Sequence, residues 1–206
     1  MDISVLFSAM PGAVAQGLIW GIMAIGVYIT YKILDVADLT VDGSMCTGGA
    51  VSIMMMLNGY NVWVSLLAAF IAGMLAGLVT GIFHTFMGIT AILAGILTQL
   101  ALYSINLKIM GRANQAISVM NYDLLVSLRN VKNVPFYQNS IFVVAIFCIV
   151  IIGVLYWFFG TELGCSLRAT GCNPNMSRAQ GINTNFNIVL GLMISNGLVA
   201  LASALC

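Results

Sequence analysis

Long apolar runs alternate along the chain with short polar stretches, and most of the runs have the length of a membrane-spanning helix. Five of them cover residues 13–34, 62–83, 89–109, 140–160 and 186–206. Because a helix needs about 20 apolar residues to cross the hydrocarbon core of a bilayer, each run predicts one crossing. A sixth run, 45–57, is too short to cross unless the polar stretch before it also lies at membrane depth. This run predicts a broken or re-entrant helix.

Composition agrees with this pattern and excludes a soluble globular domain. Of the 206 residues, 61% are hydrophobic and 6% are charged. So few charges cannot cover a water-exposed surface. We therefore expect an all-α polytopic transmembrane helix bundle that forms a single domain over residues 1–206. The last apolar run reaches the end of the sequence, which predicts further spans in the complete protein.

The charge balance and the few metal-binding residue types exclude other classes of protein. Seven Lys and Arg against six Asp and Glu give a net charge of +1, which offers no binding surface for nucleic acid. One His and five scattered Cys without a Cys-x-x-Cys pair predict no metal site and no cofactor. Asp2 stands where a secretory signal would carry a basic residue, so the first apolar run is expected to stay in the mature protein.

The third apolar run places small residues on one helical face. Ala69, Gly73, Gly77 and Gly81 recur at intervals of four. Small residues at this spacing let two helix backbones approach closely in a membrane. We predict that this face packs against another helix.

The fourth run carries a polar stripe made of Gly95, Gln99, Tyr103 and Asn106. Residues spaced by three or four lie on one face of a helix, and this face should not point to lipid. Two interpretations are open: hydrogen bonds to neighbouring helices, or the lining of a solute path. The connection that follows, 108–139, is predicted to be a loop with a short interfacial helix at 123–131.

Acidic residues lie at membrane depth after the first run, at Asp35, Asp38 and Asp42. Carboxylates there are costly and need a reason. Asp38 and Asp42 are expected either to cap a half-helix that starts at Gly43-Ser44 or to belong to a translocation path. We favour capping because a helix N-terminus stabilises a nearby carboxylate.

The polar segment 161–185 contains the signals of a short, sharply bounded helix. Asn173 is a good N-cap, Pro174 fits the first helical position, and Gly181 can adopt the left-handed conformation that ends a helix. Such a helix of about two turns suits a contact with a soluble partner, although an ordinary connecting loop is an alternative.

Three segments of the chain together resemble one family. TELGCSLRATGCNPNMSRAQGIN (161–183) is similar to the cytoplasmic coupling loop of ABC importer permeases related to the branched-chain amino-acid and ribose permeases. GIMAIGVYITYKILDVADLTVDGS (21–44) resembles the first span and acidic motif of that family. AGILTQLALYSINLKIMGRAN (94–114) resembles the subgroup that works with a lipoprotein-type binding protein and is associated with aromatic amino acids.

The resemblance implies that the chain is a plasma-membrane permease subunit of an importer for a small solute such as an amino acid. Such a subunit is not an enzyme and catalyses no reaction itself. Its expected partners are cytoplasmic ATPase subunits, an extracytoplasmic solute-binding protein and a second permease subunit. Counting basic residues leaves the orientation open, whereas a cytoplasmic coupling loop implies an extracytoplasmic N-terminus. The positions that match the coupling loop, together with Arg178, are Glu162, Gly164, Arg168, Ala169, Gly171, Asn173, Pro174, Gly181 and Ile182.

The main alternative from another class is an ion-coupled secondary transporter. An intramembrane carboxylate beside a discontinuous helix could bind a coupling ion. Such a carrier has no need for a coupling-type loop, and the chain has no second half with a matching broken helix. A membrane enzyme is disfavoured because no residues stand at catalytic spacing.

Overall fold

The structure is a computed structural model that describes residues 3–112 and 140–206, and these two ranges form an all-α bundle. The predicted interfacial helix at 123–131 lies outside the described residues. The helices are α1 (Ile3–Tyr28, continued by a π-helical turn over Ile29–Ile33), α2 (Val41–Leu57), α3 (Val62–Thr85), α4 (Ala91–Met110), α5 (Ser140–Gly160), α6 (Glu162–Cys172), α7 (Pro174–Ala179) and α8 (Thr184–Leu205).

Five helices in the described ranges are long and apolar enough to cross a membrane. They are Gly12–Ile33, Val62–Thr85, Ala91–Met110, Phe142–Gly160 and Thr184–Leu205, which confirms the five predicted long spans. The first helix differs from the expectation at its start. It begins at Ile3, ten residues before the predicted run, and runs through Pro11 and Gly12.

Helix α8 lies at the centre of the bundle and packs along α3 through the predicted face of small residues. A Cβ atom added to Gly73 or Gly77 would collide with the α8 backbone at Asn196 or Leu192. At Gly81 the added atom would lie 3.0 Å from Val189 Cα. As the residue number rises along α3 from 73 to 81, the number of its partner in α8 falls from 196 to 189. The two helices are therefore antiparallel. The predicted close packing of this face is confirmed.

Helices α1 and α2 contact α8 from two other sides. The Ser195 hydroxyl donates to the Gly26 carbonyl oxygen at 2.7 Å, and Gly191 faces Leu34, so α1 runs antiparallel to α8. Gly48 of α2 sits against the Ala200 backbone. Polar and small residues thus tie three helices to one central helix, as is common in membrane bundles.

Helix α5 lies outside this core and contacts mainly α1. The Cys148 thiol lies 3.5 Å from the Leu18 carbonyl oxygen, while Ile149, Val150 and Val154 are exposed. Only 6% of its most apolar 18-residue stretch is buried inside the bundle. A helix that is this apolar and this exposed is suited to contact with lipid.

The second crossing is the broken one that the sequence predicted. The chain leaves α1 at the end of the bundle where α6 and α7 lie, continues through a non-helical segment, 35–40, and then forms α2. Because α2 runs parallel to both α4 and α8, segment 35–40 and α2 together carry the chain to the opposite end. The structure therefore favours a broken crossing over a re-entrant helix.

Candidate functional site

The break begins where α1 loosens into its π-helical turn. The amide of Leu34 donates to the Ile29 carbonyl oxygen at 3.0 Å, and the amide of Val36 donates to Thr30 at 3.0 Å. Between them Asp35 has a φ of +56°, a conformation that is uncommon for a residue with a side chain. The chain turns away from the helix axis at this residue.

Asp38 connects segment 35–40 to the central helix. One carboxylate oxygen accepts a hydrogen bond from the Thr40 amide at 2.8 Å, and the other accepts one from Asn196 Nδ2 at 2.7 Å. Asn196 has no exposed surface, and its Nδ2 also donates to the Leu192 carbonyl oxygen at 3.1 Å. A charge-assisted bond to a buried amide is stronger than a neutral one. Asp38 therefore fixes the non-helical backbone to α8.

Two more contacts enclose the segment between helices. The hydroxyl groups of Thr40 and Thr80 lie 2.8 Å apart, which links the segment to α3. On the other side, a Cβ atom at Gly95 would lie 2.9 Å from the Leu39 nitrogen. Only a residue without a side chain lets α4 approach this backbone so closely. The broken segment is thus held by α3, α4 and α8 at once.

The start of α2 differs from the predicted half-helix. The helix begins at Val41, three residues before Ser44, and no side chain caps it at Thr40. Ser44 is buried inside the helix, and its hydroxyl donates to the Val41 carbonyl oxygen at 2.9 Å. Asp42 lies in the first turn and is exposed, where it meets the positive end of the helix dipole. Of the two carboxylates, only Asp38 binds a backbone amide near the helix start.

The structure brings five of the residues predicted for the path or the broken helix, Gly43 among them, into one groove between α2 and α4. The groove has a volume of about 180 Å³, and Asp42, Gln99, Tyr103 and Asn106 line it together with Gly43, Cys46 and Leu100. Asp38 and Ser44 do not line it and serve the packing of the break instead. The polar stripe of α4 thus divides: Gly95 packs against the broken segment, and the other three residues line the groove.

Next to the end of α1 where the break begins, the segment 161–185 contains a helix that the sequence analysis missed. Residues 162–172 form α6, whose N-cap Thr161 accepts a hydrogen bond from the Gly164 amide at 3.4 Å. A Cβ atom at Gly171 would collide with the Ile33 carbonyl oxygen at the end of α1. Asn187 Nδ2 of α8 donates to Ser166 Oγ and, at 2.9 Å, to Thr170 Oγ1. Helix α6 is therefore anchored to both α1 and α8.

The short helix α7 has the caps that the sequence predicted. Asn173 Oδ1 accepts hydrogen bonds from the amides of Asn175 and Met176 at 3.1 Å, and Pro174 is the first helical residue. Gly181 ends the turn with a φ of +82°. The prediction of a short helix with these two boundaries is confirmed.

The expected coupling residues divide into an exposed set and a packing set. Gly164 and Gly171 make close backbone contacts, and Ile182 is half-buried. Arg178 is exposed, but its Nε donates to Thr184 Oγ1 at 2.8 Å, and the Arg168 guanidinium donates to the Phe159 carbonyl oxygen at 3.3 Å. The exposed positions are Glu162, Arg168, Ala169, Asn173, Pro174, Arg178 and Gly181.

Several residues of the site were not singled out from the sequence. Asn187 and Asn196 lie in the last apolar run, where a polar amide at membrane depth is itself a signal for an interhelical bond. Thr40 and Thr80 gave no signal because threonine is common in membrane helices. Met176 is 60% exposed on the outer face of α7. This position could not be predicted without knowing where the helix begins and ends. Among residues 3–112 and 140–206, no three His, Cys, Asp or Glu side chains are grouped to hold a metal ion.

These features define a polytopic membrane protein with one broken crossing and a short helix exposed at one end of the bundle. Residues 10–206 match the family described as branched-chain amino acid transport system / permease component. The chain belongs to this family, whose members are ABC-type permeases.

Three curated proteins are similar to the chain. It is 41% identical over 199 residues to the tyrosine transport system permease protein of Clostridioides difficile, covering 96% of this chain and 64% of that protein. It is 36% identical to the uncharacterized protein RP368 of Rickettsia prowazekii, over 94% of this chain and 65% of that one. It is 29% identical to the fructose import permease protein FruF of Bifidobacterium longum, over 80% and 46%. The chain thus spans less than two thirds of these relatives. No solved structure matches it.

Proposed function

We propose that the chain is the permease subunit of an ATP-driven importer for an amino acid, and that α6 and α7 couple ATPase movement to alternating access. The observation that carries this proposal is the close packing of α6 against the end of α1. Gly171 touches the backbone of Ile33 and Leu34, and Leu34 is the residue directly before the broken segment. A force on the exposed helix pair therefore reaches the broken crossing.

A chain of hydrogen bonds supports a second route through α8. Arg178 of α7 binds Thr184 at the start of α8, and Asn187 one turn later binds α6. Further along the same helix, Asn196 binds Asp38 of the broken segment. Because a helix transmits displacement along its axis, α8 would move the segment together with the helix pair. Packed elements with two discrete arrangements are the usual basis of such transitions.

The direction of the helices sets the proposed topology. In the proposed topology α6 and α7 lie in the cytoplasm, the chain crosses the membrane six times and the N-terminus lies outside. The cytoplasmic partners are ATPase subunits, an extracytoplasmic binding protein delivers the solute, and a second permease subunit completes the path. An amino acid is proposed as solute because a relative with 41% identity is named a tyrosine permease. In this proposal ATP hydrolysis takes place in the partner subunits and this chain performs no catalysis.

The ion-coupled carrier is less well supported by the geometry. Its candidate ligands were the carboxylates of Asp38 and Asp42, and both oxygens of Asp38 already accept hydrogen bonds within the bundle. A coupling-ion site needs several free oxygen ligands around one point. Asp38 offers no such arrangement with the described residues.

A matched pair of exposed substitutions tests the proposal in the full-length complex. Met176→Glu adds a charge on the outer face of α7, and Tyr60→Glu adds one at the opposite end of the bundle, where the side chain is 57% exposed. We expect Met176→Glu to lower co-purification of the ATPase and solute-stimulated ATP hydrolysis by about tenfold, which corresponds to ~1.4 kcal/mol of contact energy. Tyr60→Glu should leave co-purification of the ATPase unchanged.

Equal behaviour of the two variants would contradict the coupling assignment. Uptake driven by an ion gradient without any ATPase would support the secondary transporter instead. Co-purification and ATP hydrolysis are measured on the same preparation of each variant. The melting temperatures of the two variants then show whether either substitution has impaired folding.

A further inference from the structure

The groove between α2 and α4 contains a buried polar group that nothing in the bundle satisfies. Asn106 is 6% exposed, and neither its Nδ2 nor its Oδ1 has a hydrogen-bond partner among the described residues. Buried amides are almost always paired, and an unpaired one costs stability. A buried amide without a partner among the described residues, in the wall of an open groove, is a group available to a ligand.

The rest of the lining combines polar and apolar residues. Asp42, Gln99 and Tyr103 line the groove with Asn106, and none of these side chains forms a hydrogen bond with another residue of the described ranges. Leu100 and the ring of Tyr103 supply apolar surface. A concave site with few convergent polar groups is typical of small-molecule recognition.

Charge and distance define what would fit. Asp42 is the only charged side chain among the described residues that line the groove, so the site favours a cation. Asn106 lies seven residues beyond Gln99 on α4, which is about 10 Å along a helix. Its amide offers both a donor and an acceptor, which a hydroxyl or an amide satisfies and a carboxylate does not. The volume of about 180 Å³ is below the range of drug-sized pockets and suits a small metabolite.

We infer that this groove binds the transported solute, and that the solute is a small primary amine whose far end carries a hydroxyl or amide group. Its ammonium group pairs with Asp42, its body lies along Tyr103, and its far end exchanges hydrogen bonds with Asn106. This inference rests on the proposed function, because it assigns the solute site of that same permease. The groove lies in the half of the bundle away from α6 and α7, so a solute that enters from outside reaches it first.

Paired ligands and paired variants test each contact. The measurement is equilibrium binding to the full-length permease in detergent with L-tyrosine, L-phenylalanine and 3-(4-hydroxyphenyl)propionate, which lacks the amine. We expect L-tyrosine to bind about fivefold to tenfold more tightly than L-phenylalanine, the effect of one hydrogen bond to a buried group. Asn106→Leu should abolish this preference, and Asp42→Asn should abolish the preference for L-tyrosine over the acid without an amine.

Ser104→Leu on the exposed side of α4 is the control and should leave both preferences intact. Asn106→Leu replaces an unpaired buried amide with an apolar group of similar size, so its melting temperature should equal or exceed that of the parent. Preferences that persist in both groove variants, or no saturable binding of L-tyrosine to the folded parent, would overturn the inference. Failure of ATPase association with normal ligand preferences would instead overturn the coupling proposal and leave the groove assignment standing.

Discussion

Two interruptions of the helical pattern differ in what holds them. The broken segment 35–40 is enclosed by three helices, and apart from the bond between Asp38 and the Thr40 amide its side-chain hydrogen bonds cross to α3 and α8. The segment 161–183 is held in its α7 part by local caps, in which Asn173 binds the next residues and Gly181 closes the turn. Helix α6 anchors the segment to α1 and α8, and Arg178 of α7 adds one bond to Thr184 of α8. The shape of segment 35–40 thus depends on contacts with neighbouring helices, whereas the shape of α7 is stabilised by its own caps.

This difference has a functional meaning. Backbone groups that lie at membrane depth must be satisfied inside the protein, so segment 35–40 cannot move without its partners. A helix with local caps keeps its shape when its outer face binds something else. Helix α7 is therefore suited to an intermolecular contact and segment 35–40 to a change in packing. The comparison predicts that mutations in the first region affect stability and that mutations in α7 affect coupling.

The largest effect on stability is expected from Gly95→Leu. The new side chain would enter the space of the Leu39 backbone, whose nitrogen already lies 2.9 Å from the position of a Cβ atom. Overpacking of this kind costs about 1–3 kcal/mol or more. The melting temperature in detergent should fall by several degrees, while Ala101→Leu on the exposed side of the same helix should leave it unchanged. A parent-like melting temperature for Gly95→Leu would show that α4 does not hold the segment.

A smaller loss of stability is expected when Asp38 is replaced. Asp38→Ala removes the acceptor for the Thr40 amide and for Asn196, and leaving buried donors unpaired costs about 1–3 kcal/mol. Asp38→Asn should cost less, because the side chain of Asn196 can rotate so that its unpaired Oδ1 accepts from the new amide. Denaturation curves of the two variants give the ranking. Equal stability of the alanine and asparagine variants would contradict the bonding described here.

The sequence predicted the long spans, the broken crossing and the caps of α7 because each depends on local information. Apolar length, the Asn173-Pro174 pair and Gly181 act within a few residues of the chain. The partners of Asp38 were out of reach, since Asn196 lies 158 positions away and nothing local indicates which helix it faces. The eleven residues of α6 were missed because a mixed polar sequence has no membrane signal, although Thr161 and Glu162 form a helix start. The groove required knowing that α2 and α4 run side by side.

Gly181→Val should have a modest effect on stability and a larger one on coupling. Valine disfavours the φ of +82° that Gly181 adopts, with a cost of roughly 1–2 kcal/mol that stays within the short helix. ATP hydrolysis stimulated by loaded binding protein should therefore fall more than the melting temperature does. Gly181→Asn is the control, because asparagine tolerates the left-handed conformation and should retain most of the stimulation. If both variants couple normally, the end of α7 does not position a contact.

Single cysteine substitutions, the smallest change, test on which side of the membrane α7 lies. Met176 is 60% exposed, whereas Ser177 is 3% exposed and its hydroxyl donates to the Asn173 carbonyl oxygen at 3.0 Å. In a background without the five native cysteines, four of which are exposed, Met176→Cys should react with a membrane-impermeant thiol reagent only from the cytoplasmic side. Ser177→Cys should react slowly from either side because its side chain faces the bundle. Tyr60→Cys, at the opposite end, should react only from outside. Labelling of Met176→Cys in sealed cells would invert the topology and remove α7 from the reach of a cytoplasmic ATPase.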